Sequence, residues 1–338
     1  MNGFIEEVCT QGKLLETVGD YYRTEGEARI GRVVEEFHQR KLERVILSGM
    51  GSSLYAMDAV RSYLTMRGVP CLAFSAFELS RFQFDQIDDK TLLIAVSQSG
   101  NSAEVVELVE KARSRTLVVG IYNNEESKLS QLADIPLPLR CGKEVSITSK
   151  TYELTMLLLN IIAHRLTGEL DQSFWEETAK VSRWVSAWVS DWEKNATPMY
   201  EFAKDVQLFD LLANNVSLAT ARQLSLAYRE GLHNSTAVWE CADYAHGQYH
   251  SAKMGRGYLA QMFFPTFEAG TKEEKMLRFI LDKGGRVMLY TATELPRGER
   301  VFVVKLPRVR DPLMPLMESV AAETMLGMLF GPTWVKDH

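Results

Sequence analysis

The sequence lacks the features that mark secreted, membrane-spanning or nucleic-acid-binding chains. Its four cysteines, Cys9, Cys71, Cys141 and Cys241, are far apart and form no Cys-x-x-Cys pair. That spacing argues against a local zinc or redox motif and a stapled scaffold, and predicts reduced core thiols with no bound metal. The most apolar stretch, Leu154 to Ala163, is flanked by Glu153 and His164 and is too short to span a bilayer, so a buried helix is expected and a membrane is not. The N-terminal Met1-Asn2-Gly3-Phe4-Ile5-Glu6-Glu7 is acidic where a signal peptide is basic, which predicts a cytoplasmic chain. The net charge of −6 is spread along the sequence with no basic block or RNP-like aromatic motif, so nucleic acid is not an expected partner.

What is present is ample apolar material, arranged as short β-rich runs alternating with amphipathic segments. With 338 residues, 46% of them hydrophobic, the chain can build two packed units or one large α/β domain. Helical patterns fill roughly Glu27 to Arg40 and the residues before it. Val45-Ile46-Leu47, Leu92 to Val96 and Thr116 to Ile121 then read as central strands of a parallel sheet covered on both faces. Between the last two, Val105, Leu108, Val109 and Ala112 mark one helical face, which makes a βαβ unit. Asn101, with Glu104 three residues later, predicts an N-cap and its N3 carboxylate. A helix from about Ser149 to Leu166 closes the unit. Trp175 and the four-residue spacing of Trp184, Trp188 and Trp192 then suggest a packed helical face. The alternation restarts with Val216-Ser217-Leu218-Ala219 ahead of a helix. Leu259 to Phe264, Val287 to Tyr290 and Val301 to Val304 follow as strands, and Thr271 to Lys283 as a helix. The resulting expectation is three regions: 1–168, a helical connector over 169–195, and a second α/β region over 196–338.

Two polar loops stand at strand-to-helix junctions: Ser48-Gly49-Met50-Gly51-Ser52-Ser53 and Ser97-Gln98-Ser99-Gly100-Asn101-Ser102. A helix start offers free backbone N–H groups and the positive end of the macrodipole, serines add hydroxyls, and glycine lets a ligand approach. Helix capping uses the same residues, and one loop alone does not separate the two roles. Two such loops at the carboxyl edge of one sheet favour an anion site, because ligands of open α/β sheets sit there. The Gly-Lys-Ser/Thr ending of a Walker loop and the third glycine of a dinucleotide fingerprint are both missing, which disfavours nucleotides. The segment Pro265-Thr266-Phe267-Glu268-Ala269-Gly270 occupies the corresponding place in the second half without the serines.

Ser-Gln-Ser-Gly-x-Ser after a strand, with Gly-x-Gly-Ser-Ser upstream, resembles the sugar isomerase (SIS) domain family. The likeness is greatest to the isomerase half of glucosamine-6-phosphate synthase and to fructosamine-6-phosphate deglycases and amino-sugar-phosphate deaminases. The resemblance implies two tandem SIS domains, each a mainly parallel sheet in a three-layer α/β/α sandwich, with a sugar-phosphate substrate and no cofactor. It places phosphate binding on Ser53, Ser97, Gln98, Ser99 and Ser102, with Ser52 adjacent. Gly51, Glu144 and Ser149 fall to the sugar site, and the catalytic roles to Glu230 and to His246 of His246-Gly247. Outside the resemblance, Glu230 reads as a solvated helix-face carboxylate and His246 as a loop histidine. The family also implies at least a homodimer with shared active sites, the histidine coming from a neighbouring subunit. Three departures bear on the reaction: Gln248 replaces a proline, Ala227 stands where the synthases carry a lysine, and their C-terminal lysine tail has no counterpart in Phe330 to Lys336. With no glutaminase region in the sequence either, the expectation is a deglycase that splits a sugar–amine 6-phosphate adduct. A deaminase or aldose–ketose isomerase is the alternative, and a non-catalytic phosphosugar-binding regulator a second.

Overall fold

The computed structural model describes residues 1–296 and 298–335. Ahead of the first strand lie three helices: α1 (Gly3–Val8), α2 (Gln11–Arg23) and α3 (Glu27–Gln39). The first sheet is built from β1 (Arg44–Gly49), β2 (Cys71–Ser75), β3 (Thr91–Ser97), β4 (Leu117–Tyr122) and β5 (Ile135–Pro138). Its connections carry α4 (Ser52–Tyr55), α5 (Asp58–Met66), α6 (Ala76–Phe82), α7 (Ala103–Ala112) and α8 (Lys128–Leu132). All strands are parallel in the order β2-β1-β3-β4-β5. β3 and β4 are buried at every residue, which is why they show as unbroken apolar runs. α9 (Lys150–Leu166) is buried around most of its circumference and forms the core helix of this unit.

Beyond it come α10 (Gln172–Ser190) and α11 (Trp192–Ala203), and then a second sheet. Its strands are β6 (Leu208–Ala213), β7 (Ala237–Trp239), β8 (Tyr258–Phe263), β9 (Arg286–Thr291) and β10 (Val301–Lys305). The order β10-β9-β8-β6-β7, again all parallel, repeats the first sheet strand for strand. Its helices are α12 (Leu218–Leu232), α13 (Cys241–Tyr244), α14 (Lys272–Asp282) and α15 (Pro315–Phe330). The helical segment Asp311–Phe330 is long and apolar enough to cross a membrane by composition alone, yet 89% of its apolar window is buried within the protein, as the core helix of this half.

Two compact units result, each interrupted in sequence. One comprises Lys13–Glu144 and Lys150–Ser182; the other comprises Met1–Gly12, Val145–Ser149 and Arg183–His338. The stretch read as a connector, 169–195, is thus divided at Ser182. In the second unit the Glu7 carboxylate accepts the Val145 and Ser146 amides at 2.8 and 3.0 Å.

Several local expectations are corrected. Val216 to Ala219 is no strand: Asn215–Ser217 is a 3-10 turn and Leu218 begins α12. The strand is β6, whose apolar run is broken in sequence by Asp210. Its carboxylate is buried and satisfied, accepting from Tyr258 at 2.8 Å and Trp239 at 3.3 Å. Trp184 and Trp188 do stack, with centroids 5.0 Å apart, but Trp192 opens α11 beyond a break at Asp191. The N-cap of α7 is Ser102, not Asn101. Asn101 Oδ1 instead accepts the Lys128 amide at 3.0 Å, at the start of α8. The four cysteines are free thiols. Burial pushes Cys71 and Cys241 up to about 12, so neither presents a reactive thiolate near neutral pH.

Candidate active site

In a sheet of order 2-1-3-4-5 the topological switch point lies between the first and third strands, and ligands enter the crevice at their carboxyl ends. Both serine loops are there. β1 pairs with β3 from Arg44↔Thr91 to Ser48↔Ala95, so the loops after Gly49 and Ser97 leave the same edge side by side. After β1 the chain turns through Gly51, whose φ of 51° and ψ of −127° suit glycine, and enters α4 at Ser52 and Ser53, both half-buried.

After β3, Ser97 is buried and its hydroxyl lies 2.9 Å from that of Ser102. Ser97 Oγ also accepts the Gly100 amide at 3.1 Å, and Ser99 Oγ accepts that of Asn101 at 3.2 Å. The loop is anchored from outside by Asn123 N–H donating to the Gln98 carbonyl and Leu129 N–H to that of Gly100, each at 3.0 Å. The result is a ring of hydroxyls and amides at the start of α7, whose first-turn N–H groups have no intrahelical acceptor. Gly100 carries φ 66°, and a Cβ there would collide with the Ser127 side chain. Gly100→Ala is therefore expected to lose about 1–2 kcal/mol from the left-handed backbone alone, before that clash is counted. Phosphate affinity should fall with it. Denaturant titration and calorimetric titration with inorganic phosphate check both, and unchanged stability would mean the loop relaxes freely.

Beside this loop opens a cleft of about 640 Å³, within the usual size for small-ligand sites. Gln98, Ser99 and Asn101 form one wall; Asn123, Asn124, Glu125, Arg140, Gly142, Lys143 and Glu144 form the rest. Ser52, Ser53, Ser97 and Ser102 lie outside its lining. Asn123 shapes the far wall, donating from Nδ2 to the Gly142 carbonyl at 2.6 Å and accepting the Cys141 amide at 3.1 Å. Arg140 holds a left-handed φ of 57° with its guanidinium 4.3 Å from the Tyr21 ring centroid. Asn123, Arg140 and Lys143 were not singled out from the sequence. They follow β4 and β5, and β5 is an edge strand whose two prolines hide it. Glu144 caps α9, accepting the Thr151 amide at 3.1 Å and the Thr151 hydroxyl. Among the described residues no cluster of three His, Cys, Asp or Glu could hold a metal.

The remaining predicted residues belong to the second unit. Ser149 is fully buried. Glu230 lies in the last turn of α12 and is exposed; Ala227, one turn earlier, is buried. His246 is exposed in the turn after α13, next to Gly247 at φ 122°.

Fold and loops together define the class: two tandem α/β domains of the SIS type, the first with serine-rich loops at its switch point. Residues 37–165 match the SIS domain family model, so the chain carries a SIS domain across its first sheet. The chain is homologous to the isomerase half of glutamine–fructose-6-phosphate aminotransferase (isomerizing). It is 28% identical to that of Pyrococcus horikoshii over 304 residues, covering 84% of this chain and 48% of the relative. The chain thus spans about half the length of the curated relatives it matches. The C-terminal domain of glucosamine-fructose-6-phosphate aminotransferase from Francisella tularensis superposes with a TM-score of 0.86 at 17% identity, over 100% of this chain and 98% of that one. Tagatose-6-phosphate ketose/aldose isomerase from Escherichia coli superposes with a TM-score of 0.79 at 18% identity, over 97% and 92%.

Proposed function

We propose that the chain is a phosphosugar-processing enzyme, a deglycase of the fructosamine-6-phosphate type that cleaves a 6-phosphorylated sugar–amine adduct to sugar 6-phosphate and free amine. The observation that carries this reading is the pair of serine loops at the β1/β3 switch point of a SIS domain homologous to aminotransferases acting on fructose 6-phosphate. Ser53, Ser97, Gln98, Ser99 and Ser102, with Ser52 beside them, hold the phosphate through hydroxyls, the Gln98 amide and the amides at the start of α7. The adjoining cleft, lined by Glu144, takes the sugar.

Glu230 moves a proton from C1 to C2 of the open-chain ketose amine, converting it to the imine of the aldose. Water adds to that imine and the amine leaves, so the step consumes one water and needs no oxidant. His246 assists ring opening and oxygen protonation. Its exposure beside Gly247 supports donation into the site of a second subunit, in a homodimer or larger assembly. The absence of a lysine at Ala227, a buried position, favours cleavage over amination.

The test is an assay of purified protein on glycated amino acid 6-phosphates, following sugar 6-phosphate and amine together. Stoichiometric release of both is expected. Ammonia released from an amino-sugar phosphate would replace the reading with deamination, and ketose–aldose exchange with isomerisation. Phosphosugar binding without turnover of any of them would leave a regulator.

A further inference from the structure

The repeated topology allows the two switch points to be compared residue by residue. β1 ends at Gly49 and β6 at Ala213; each is a six-residue strand paired on one side with the third strand of its sheet. Two residues on, Gly51 has φ 51° and Asn215 has φ 54°, a positive φ at the same place in each unit. Two further on stand Ser53 and Ser217. The equivalent of a proposed phosphate ligand is therefore retained in the second unit, although the serine loop is replaced around Pro265.

The hydroxyl of Ser217 is not idle. It donates to Glu318 Oε1 at 2.9 Å, and the Thr220 hydroxyl donates to Glu318 Oε2 at 3.0 Å. Ser217 is the N-cap of the fifteen-residue α12, and Thr220 lies in its first turn. Glu318 projects from α15 and is fully buried. A completely buried carboxylate is costly unless its oxygens are satisfied. Here it sits at the positive end of a helix dipole with a hydroxyl on each oxygen.

We propose that the β6–α12 turn is the second unit's counterpart of the serine-loop site, and that its occupant, a carboxyl group, is supplied by the chain itself through Glu318. The second unit is thereby closed to an external phosphate, and α12, which carries Glu230 at its far end, is tied to α15. The inference does not depend on the chemistry assigned to Glu230.

Replacing glutamate by alanine removes Cγ and the carboxylate, the atoms of an acetate ion. Glu318→Ala is therefore expected to have a lowered Tm at a pH above neutrality, and acetate should restore most of the loss in a saturable way. Chloride at equal ionic strength should not. Wild type and the triple variant that also carries Ser217→Ala and Thr220→Ala should not respond specifically to acetate. If Glu318→Ala does not accumulate in folded form, its refolding yield with acetate against chloride gives the same reading. Equal effects of acetate and chloride on both Tm and refolding would overturn the proposal, as would equal acetate rescue in the triple variant.

Discussion

Glu230→Gln is expected to lose roughly 10²- to 10⁴-fold in kcat on the adduct, the usual contribution of a positioned general base. KM should change little, because the serine loops proposed to hold the phosphate lie in the other unit and keep their hydroxyls and amides. Glutamine preserves the size and shape of the side chain at an exposed position, so the fold is expected to be retained. Steady-state kinetics and a denaturation curve on the same preparation separate these effects. A kcat within a few-fold of wild type would remove Glu230 from the mechanism, leaving phosphate binding untouched.

The second large effect concerns pH. Burial raises the Glu318 carboxyl to about 7, against the opposing pull of the Ser217 and Thr220 hydrogen bonds and with a smaller push from Asp311. An unfolded glutamate titrates near 4.5. Between those values the folded chain holds a proton that the unfolded chain has released, so stability falls as pH rises. The contribution is fully present below about 4.5 and lost as pH passes through about 7. At about 1.4 kcal/mol for each tenfold in proton affinity, it amounts to roughly 3 kcal/mol. Glu318→Gln cannot titrate, so the stability difference between wild type and this variant should tilt by that amount across the window. Asp210 is raised by burial in both proteins and cancels in the comparison. A difference that stays flat from pH 4.5 to 8 would show that Glu318 does not titrate there.

The elements legible in the sequence were those buried on both faces. β3, β4 and β9 carry near-continuous apolar runs, and β8 is broken only by the buried Gln261, because helices cover each side of a parallel sheet. Three of the four edge strands were not legible: β2 and β7 are half-exposed, and β5 contains Pro136 and Pro138, whereas the edge strand β10 shows as the unbroken run Val301 to Val304. β6 was hidden by Asp210, whose partners Trp239 and Tyr258 come from neighbouring strands. The serine loops were readable because a strand end, a glycine and a helix start are all local. The cleft wall at Asn123, Arg140 and Lys143 was not, since it depends on how the segment after an edge strand folds back. Glu318 lies at the extreme of this scale. Nothing around it in Pro315 to Met325 says that its carboxylate meets Ser217 and Thr220, a contact set only by the packing of α12 against α15.

The side chain of Asn2 donates to the carbonyls of Gly327 and Gly331, both at 2.8 Å, and α1 buries Phe4, Ile5 and Val8 in the unit that contains α15. Synthesis runs from α1 to α15, so α1 stays without its partner until α15 has emerged. The unit bearing the serine loops ends at Ser182, so all of its residues have emerged well before α15. The serine loops can thus be complete while α1 is still without the helix it shares a unit with.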